Sequence, residues 1–330
     1  MSKRSDNGPE EMVGRLLNGE RRAAARLISL VEDKSKDADA LMKLVYPHTG
    51  SSMLLGITGA GGSGKSSLIN HLIRCFRQLN RKVGVVAVDP SSPFSGGAIL
   101  GDRIRFQEHS LDKGVFIRSM GSRGYLGGLT RATADVVRIM EAMGNDVVII
   151  ETLGVGQDEI DIIHIAQTCL LVLTPGMGDD IQAMKAGIME IADLIVLNKF
   201  DLEGADSFLR NIEATLQYAS DNKGGGWLPK IIPTVAIASK STEIQGIDEL
   251  IEAITVHQSY IRDNQVLKDI HIKRVEQELS LIFRDEVEKL VFAGLKGTGK
   301  KRQYVDAIIS KRSDPYSVVQ EVLATFLPSK

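Results

Sequence analysis

Seven short apolar runs punctuate the chain, and between most of them the apolar positions recur at the wider spacing of a helix. The runs are Met53–Thr58, Lys82–Asp89, Gly114–Ser119, Asp146–Thr152, Cys169–Thr174, Leu194–Asn198 and Ile231–Ile237. Near-continuous apolar runs of this length fit strands buried on both faces, as in parallel sheets. Helical periodicity is expected over 67–79, 130–143, 158–167, 180–191 and 205–219. Strands alternating with helices imply βαβ units, so the predicted fold is α/β, with a mostly parallel sheet and helices on both faces. Before the first run, Val13, Leu16, Leu17, Ala24, Leu27, Ile28, Leu30 and Val31 recur at helical intervals and Gly19 interrupts them, which predicts two helices between 10 and 45. After Gly246 the pattern turns helical again, with Val256, Ile261, Val266, Ile270, Val275 and Leu279 in register. That stripe needs a surface to cover it. Three regions follow: a helical extension over 1–50, a central sheet domain over 51–255 and a helical extension over 256–330.

Composition narrows the picture. Of 330 residues, 43% are hydrophobic and the formal net charge is −2, so no electrostatic case exists for nucleic acid or an acidic membrane surface. Cys75 and Cys169 lie far apart in apolar periodic stretches, which suits core residues in a reducing compartment. The polar amino terminus lacks an apolar signal core, and no apolar run approaches about 18 residues, so a cytoplasmic protein is expected.

Chemistry concentrates where the first strand meets its helix. Gly59–Ser66 reads GAGGSGKS, and a glycine loop between strand and helix lets backbone N–H groups converge on a polyphosphate at a helix amino terminus. Gly61, Gly62, Ser63, Gly64 and Ser67 are the expected cradle. Lys65 would bridge the terminal phosphates and Ser66 would ligate Mg²⁺. This motif implies a phosphate-loop NTPase without naming the base. Asn198-Lys199-Phe200-Asp201 (NKFD) supplies that: a carboxylate at Asp201 can accept the N1–H and exocyclic amine of guanine, a donor pair adenine lacks. Asn198 would hold the N7 side and Lys199 would stack along the ring.

Acids are expected around the metal: Asp89 ending its strand, Asp102 in the loop that follows, and Glu151, whose carboxylate could hold a metal-bound water. Each could instead be a helix cap or turn former. The Gly154 amide could contact the terminal phosphate, and Gln157 could orient the attacking water or simply face solvent. A second glycine-lysine stretch, GLKGTGKK over Gly294–Lys301, has lysine at the metal-hydroxyl position and no strand before it, so it is not read as a nucleotide site.

Taken together, GAGGSGKSS, VAVDPSSPFSGGAILGDRIR, ETLGVGQDE, GMGDDIQAMKAG and NKFD resemble the MeaB/ArgK family of GTPases, metallochaperones of adenosylcobalamin-dependent methylmalonyl-CoA mutase. The resemblance runs from about Met12 to at least Leu250. It implies a GTPase cycling between GTP and GDP with Mg²⁺, a homodimer, an acyl-CoA mutase as partner and an adenosyltransferase as a further one. It also implies switch segments over 89–105, 151–159 and 176–185. Two departures stand out: Gly61 occupies a position where proline is common, and Ala236-Ile237-Ala238-Ser239-Lys240 departs from the usual Ser-Ala order, with Ala238 and Ser239 the guanine contacts implied there. Two alternatives are a protein kinase acting on a periplasmic amino-acid transport component and a nickel-insertion GTPase.

Overall fold

The computed structural model describes residues 8–89, 106–121, 128–152, 165–176, 189, 191–220, 226–238, 242–295 and 299–326. Within them the seven apolar runs form one sheet: β1 (Met53–Thr58), β2 (Val83–Asp89), β3 (Val115–Gly121), β4 (Val147–Thr152), β5 (Thr168–Leu173), β6 (Leu194–Asn198) and β7 (Lys230–Thr234). The spatial order is β3-β2-β4-β1-β5-β6-β7, and each neighbouring pair is parallel. β7 ends at Thr234, three residues short of the expected run. Pro233 lies in β7, an edge strand, where a residue without an N–H is tolerated.

Period-2 alternation sorts the strands between two faces. Along β4, Val148 and Ile150 enter a core with the amino-terminal helices, while Val147 and Ile149 enter one with the helix after the glycine loop. All six β4 residues are buried, the reason this strand reads as unbroken apolar sequence. Helices α1 (Pro9–Leu17), α2 (Arg21–Glu32) and α3 (Ala38–Val45) share the first core with Val136, Val137 and Met140 of α5 (Gly128–Ala142). Three helices stand here where two were expected. The foreseen break at Gly19 has φ 76°, and a second falls at Lys34, whose φ of 48° also lies in the left-handed region. An ion pair between Arg118 of β3 and Glu32 of α2 ties the helical layer to the sheet edge.

The other face carries α4 (Lys65–Gln78) and α7 (Ile247–Asp263), whose Leu68, Leu72, Leu250 and Ile254 meet Leu55, Ile57 and Val172. Helix α6 (Ala205–Ser220) buries Ile212 against Leu171, Leu173, Ile195 and Leu197. Just before β7, the Trp227 indole N–H donates to the Asp193 carbonyl at 2.7 Å and its ring meets His257 edge-on at 4.6 Å.

The chain divides into two compact units, Met1–Ile270 and His271–Lys330. The second consists of the remainder of α8 (Val266–Leu295), α9 (Lys300–Ile309) and α10 (Pro315–Phe326), with Tyr304 donating to Glu321 at 3.0 Å between the last two. Ile272, Val275, Leu279, Phe283, Val287 and Leu290 of α8 are exposed. The glycine-lysine stretch 294–301 begins at the end of α8, a helix, and Gly299 caps α9. No described helix is long and apolar enough to cross a membrane.

Candidate active site

The site lies at the carboxyl edge of the sheet, where open α/β sheets bind ligands. β1 ends at Thr58 and α4 starts at Lys65, two residues earlier than its apolar periodicity suggested. The six residues between reverse the chain using left-handed backbone at Gly62 and Gly64, with φ of 79° and 90°. Glycine is required at two points. A Cβ on Gly59 would lie 2.2 Å from the Val172 carbonyl oxygen, and one on Gly64 would lie 2.2 Å from Asn198 Nδ2. A Cβ on Gly61 would meet nothing within 4 Å among the described residues. No side-chain cap bonds to α4 among the described residues, and the first-turn amides of a helix are the donors that an anion site uses. Ser63 is buried, and its Oγ has no hydrogen-bond partner among the described residues.

Two cations converge on this loop. Lys65, 4% exposed, donates from Nζ to the carbonyls of Gly59 at 2.7 Å and Ala60 at 2.8 Å. Lys199, itself at φ 56°, donates to the Gly62 carbonyl at 2.8 Å. The buried Glu151 accepts a 2.8 Å bond at Oε1 from the Ser66 hydroxyl. Strand register produces that meeting, because Glu151 is paired with Ile57 on one side and Ala87 on the other. Asp89 ends β2 two residues beyond Ala87, so its backbone reaches the same edge. Its side chain, with Asp102, Gly154, Gln157, Ser239 and the whole of 177–188, lies outside the described residues. Ser67 follows on the first turn of α4.

The turn after β6 is braced from several directions. Asn198, 1% exposed, donates from Nδ2 to the Ser63 carbonyl at 2.8 Å. Its Oδ1 accepts from the Thr234 hydroxyl at 3.1 Å and from the Ala236 N–H at 3.2 Å. The side-chain amide of Asn198 thus connects the glycine loop to the end of β7. Asp201 and Ala238 are exposed beyond that brace, on turns following adjacent strands. The Phe200 N–H donates to the Thr234 carbonyl at 3.1 Å and keeps the two turns in step.

Sequence reasoning gave no role to Thr58, Thr152, Thr234 or His71, and named Ala236 only as part of the segment that carries Ala238 and Ser239. The Thr152 hydroxyl donates to Thr58 Oγ1 at 3.0 Å and joins β4 to β1 below the loop. His71 Nε2 is 2.9 Å from the Ala236 carbonyl oxygen. No spacing along the chain signals a contact between residues 165 positions apart.

A glycine loop at the carboxyl edge of an all-parallel sheet, with a lysine inside it and a serine bonded to a strand-end carboxylate, defines a phosphate-loop nucleoside triphosphatase. Residues 24–296 match the family described as Methylmalonyl Co-A mutase-associated GTPase MeaB, and the chain belongs to that family of GTPases. It is 44% identical over 315 residues to a putative GTPase of Pyrococcus abyssi (strain GE5 / Orsay), covering 95% of each. To the GTPase ArgK of Escherichia coli (strain K12) it is 31% identical over 318 residues, covering 94% of this chain and 95% of that one. The crystal structure of an LAO/AO transport system kinase matches its fold with a TM-score of 0.66 at 26% identity, covering 98% of this chain and 99% of that one.

Proposed function

We propose that this GTPase gates the loading of adenosylcobalamin onto an acyl-CoA mutase, methylmalonyl-CoA mutase in the first instance, and protects the loaded enzyme. The observation that carries this reading is the match to a family described by its association with that mutase. GTP hydrolysis proceeds by in-line attack of water on the γ-phosphate. Lys65 and the backbone amides from Gly61 to Ser66 balance the charge that develops on the phosphoryl oxygens. Asp201 selects guanine, with Asn198 on the N7 side, Lys199 along the ring and Ala238 and Ser239 completing the base contacts. Gly154 contacts the terminal phosphate and Gln157 orients the water.

The donors present suit Mg²⁺. Ser66 Oγ and Glu151 Oε1 are 2.8 Å apart, and hydroxyl and carboxylate oxygens are the hard ligands that a small divalent cation prefers. Asp89 and Asp102 are the further candidates for that shell. When bound, the ion would supply positive charge beside the β- and γ-phosphates. Functionally the chain divides into 1–50, 51–255 and 256–330, and the last region pairs two copies. The protein works in the cytoplasm, with an adenosyltransferase as a second partner.

Affinity purification from native extract in the presence of a non-hydrolysable GTP analogue tests the reading. Retention of an acyl-CoA mutase is the expected result, and a set of retained proteins without one overturns it. The likeness to the LAO/AO transport system kinase favours a second reading, a protein kinase acting on a periplasmic amino-acid transport component. Turnover of GTP and ATP measured side by side separates the two, since a clear ATP preference supports the kinase.

A further inference from the structure

One peptide between the sheet and the base side of the site is gripped from two directions. Ala236 is 4% exposed. Its N–H donates to Asn198 Oδ1 at 3.2 Å, and its carbonyl oxygen lies 2.9 Å from His71 Nε2. A carbonyl oxygen can only accept, so Nε2 is the protonated ring nitrogen and the donor. His71 stands on α4, the helix that begins at Lys65. The bond therefore joins the phosphate-binding helix directly to the turn after β7. Asn198 completes a ring of contacts through the Ser63 carbonyl at 2.8 Å.

Beyond Ala236 the chain opens to solvent, with Ile237 62% exposed and Ala238 also exposed. The root of this turn is pinned on its other side. Val235 and Gln245 exchange both backbone bonds, at 3.0 and 3.2 Å, and Gly246 at φ 76° approaches so closely that a Cβ there would lie 2.1 Å from the Pro233 carbonyl oxygen. The exposed residues Ile237 and Ala238 are thus carried on a turn whose buried end is fixed to α4.

We propose that His71 is a positioning residue for base selection, setting the distance between the Ala238 turn and the phosphate loop so that one guanine nucleotide spans both. The proposal deepens the guanine reading given above and rests on it. A nucleotide bound by its phosphates at the start of α4 presents its base at a distance fixed by its own covalent frame. The turn must therefore be held relative to α4, and His71 does so without touching the ligand. Losing this donor leaves a buried carbonyl unpaired and frees the turn to shift, which weakens the base contacts and spares the phosphate contacts.

The test compares wild type, His71→Ala and His71→Gln, the glutamine amide nitrogen standing in for Nε2. Binding of GDP, ADP and inorganic tripolyphosphate is measured by calorimetry, alongside steady-state GTP hydrolysis. In His71→Ala, GDP affinity is expected to fall about tenfold, equivalent to about 1.4 kcal/mol, and KM for GTP to rise by a similar factor while kcat holds within about twofold. Tripolyphosphate affinity should stay at the wild-type value, which also reports an intact fold, and His71→Gln should recover most of the loss. Equal weakening of GDP and tripolyphosphate, unchanged GDP affinity, or failure of glutamine to restore it overturns the proposal. A wild-type protein that binds GDP and ADP alike overturns the guanine reading itself, and the proposal with it.

Discussion

Lys65 shows how a single side chain is held in place by its own loop. Its ammonium is buried against the Gly59 and Ala60 carbonyls, the preorganisation that the proposed role in hydrolysis calls for. Lys65→Ala should lower kcat for GTP hydrolysis by at least about 100-fold, the scale of losing one preorganised charge donor, and phosphate-release assays at saturating GTP measure it. A variant with normal turnover would show that the cradle is not the site of hydrolysis. His109 is a residue-scale probe of stability. Burial holds its imidazole below the ordinary pKa, against the opposing pull of Glu108, so the unfolded chain takes up a proton that the folded chain resists. Its contribution is present above about pH 6.5 and declines as pH falls from there through the lower folded value. Thermal melts from pH 7.5 to 5 should show a shallower acid-side loss for His109→Gln than for wild type.

At the scale of elements, Asn198 couples three of them: the glycine loop, β6 and the end of β7. Its brief stretch LIVLN-K predicted a strand-end asparagine facing a nucleotide. The folded chain shows its side-chain amide bonded to Ser63, Thr234 and Ala236. Asn198→Ala leaves those buried partners unsatisfied and should cost about 2–4 kcal/mol, read as a lower midpoint in urea unfolding. It should also weaken nucleotide binding, because the glycine loop loses the bond from the Asn198 amide to the Ser63 carbonyl. Element boundaries were legible where periodicity and burial coincide, as in β1, whose bounds match the apolar run. They drifted where backbone conformation decided: Lys34 ends α2 through a left-handed residue that no hydrophobic pattern marks.

For the whole molecule, the informative surface is the α8 stripe. Ile272, Val275, Leu279, Phe283, Val287 and Leu290 are exposed at helical intervals, Phe283 by 66%, an arrangement that calls for a covering partner. A second copy of this chain is the partner proposed above. Light scattering after size exclusion should give about twice the 35.9 kDa chain mass for wild type and the single-chain mass for Phe283→Glu, since a buried unpaired charge is costly at an interface. A monomeric wild type would remove the dimer from the proposed function.

The amino-acid order by itself determined the seven strands, the glycine loop between strand and helix, and the NKFD turn, because burial on both faces and close backbone turns leave local marks in residue type. It placed Ser66, Glu151 and Asn198 on those elements without saying which other residues of the chain they touch. Only the tertiary structure decided the strand order that brings Glu151 to Ser66, the three bonds of Asn198 and the clasp of His71 on Ala236. The longest of those contacts join positions separated by 85 to 165 residues, and side chains meet across such distances through the crossing of parallel strands and helices, a relation that no local spacing encodes.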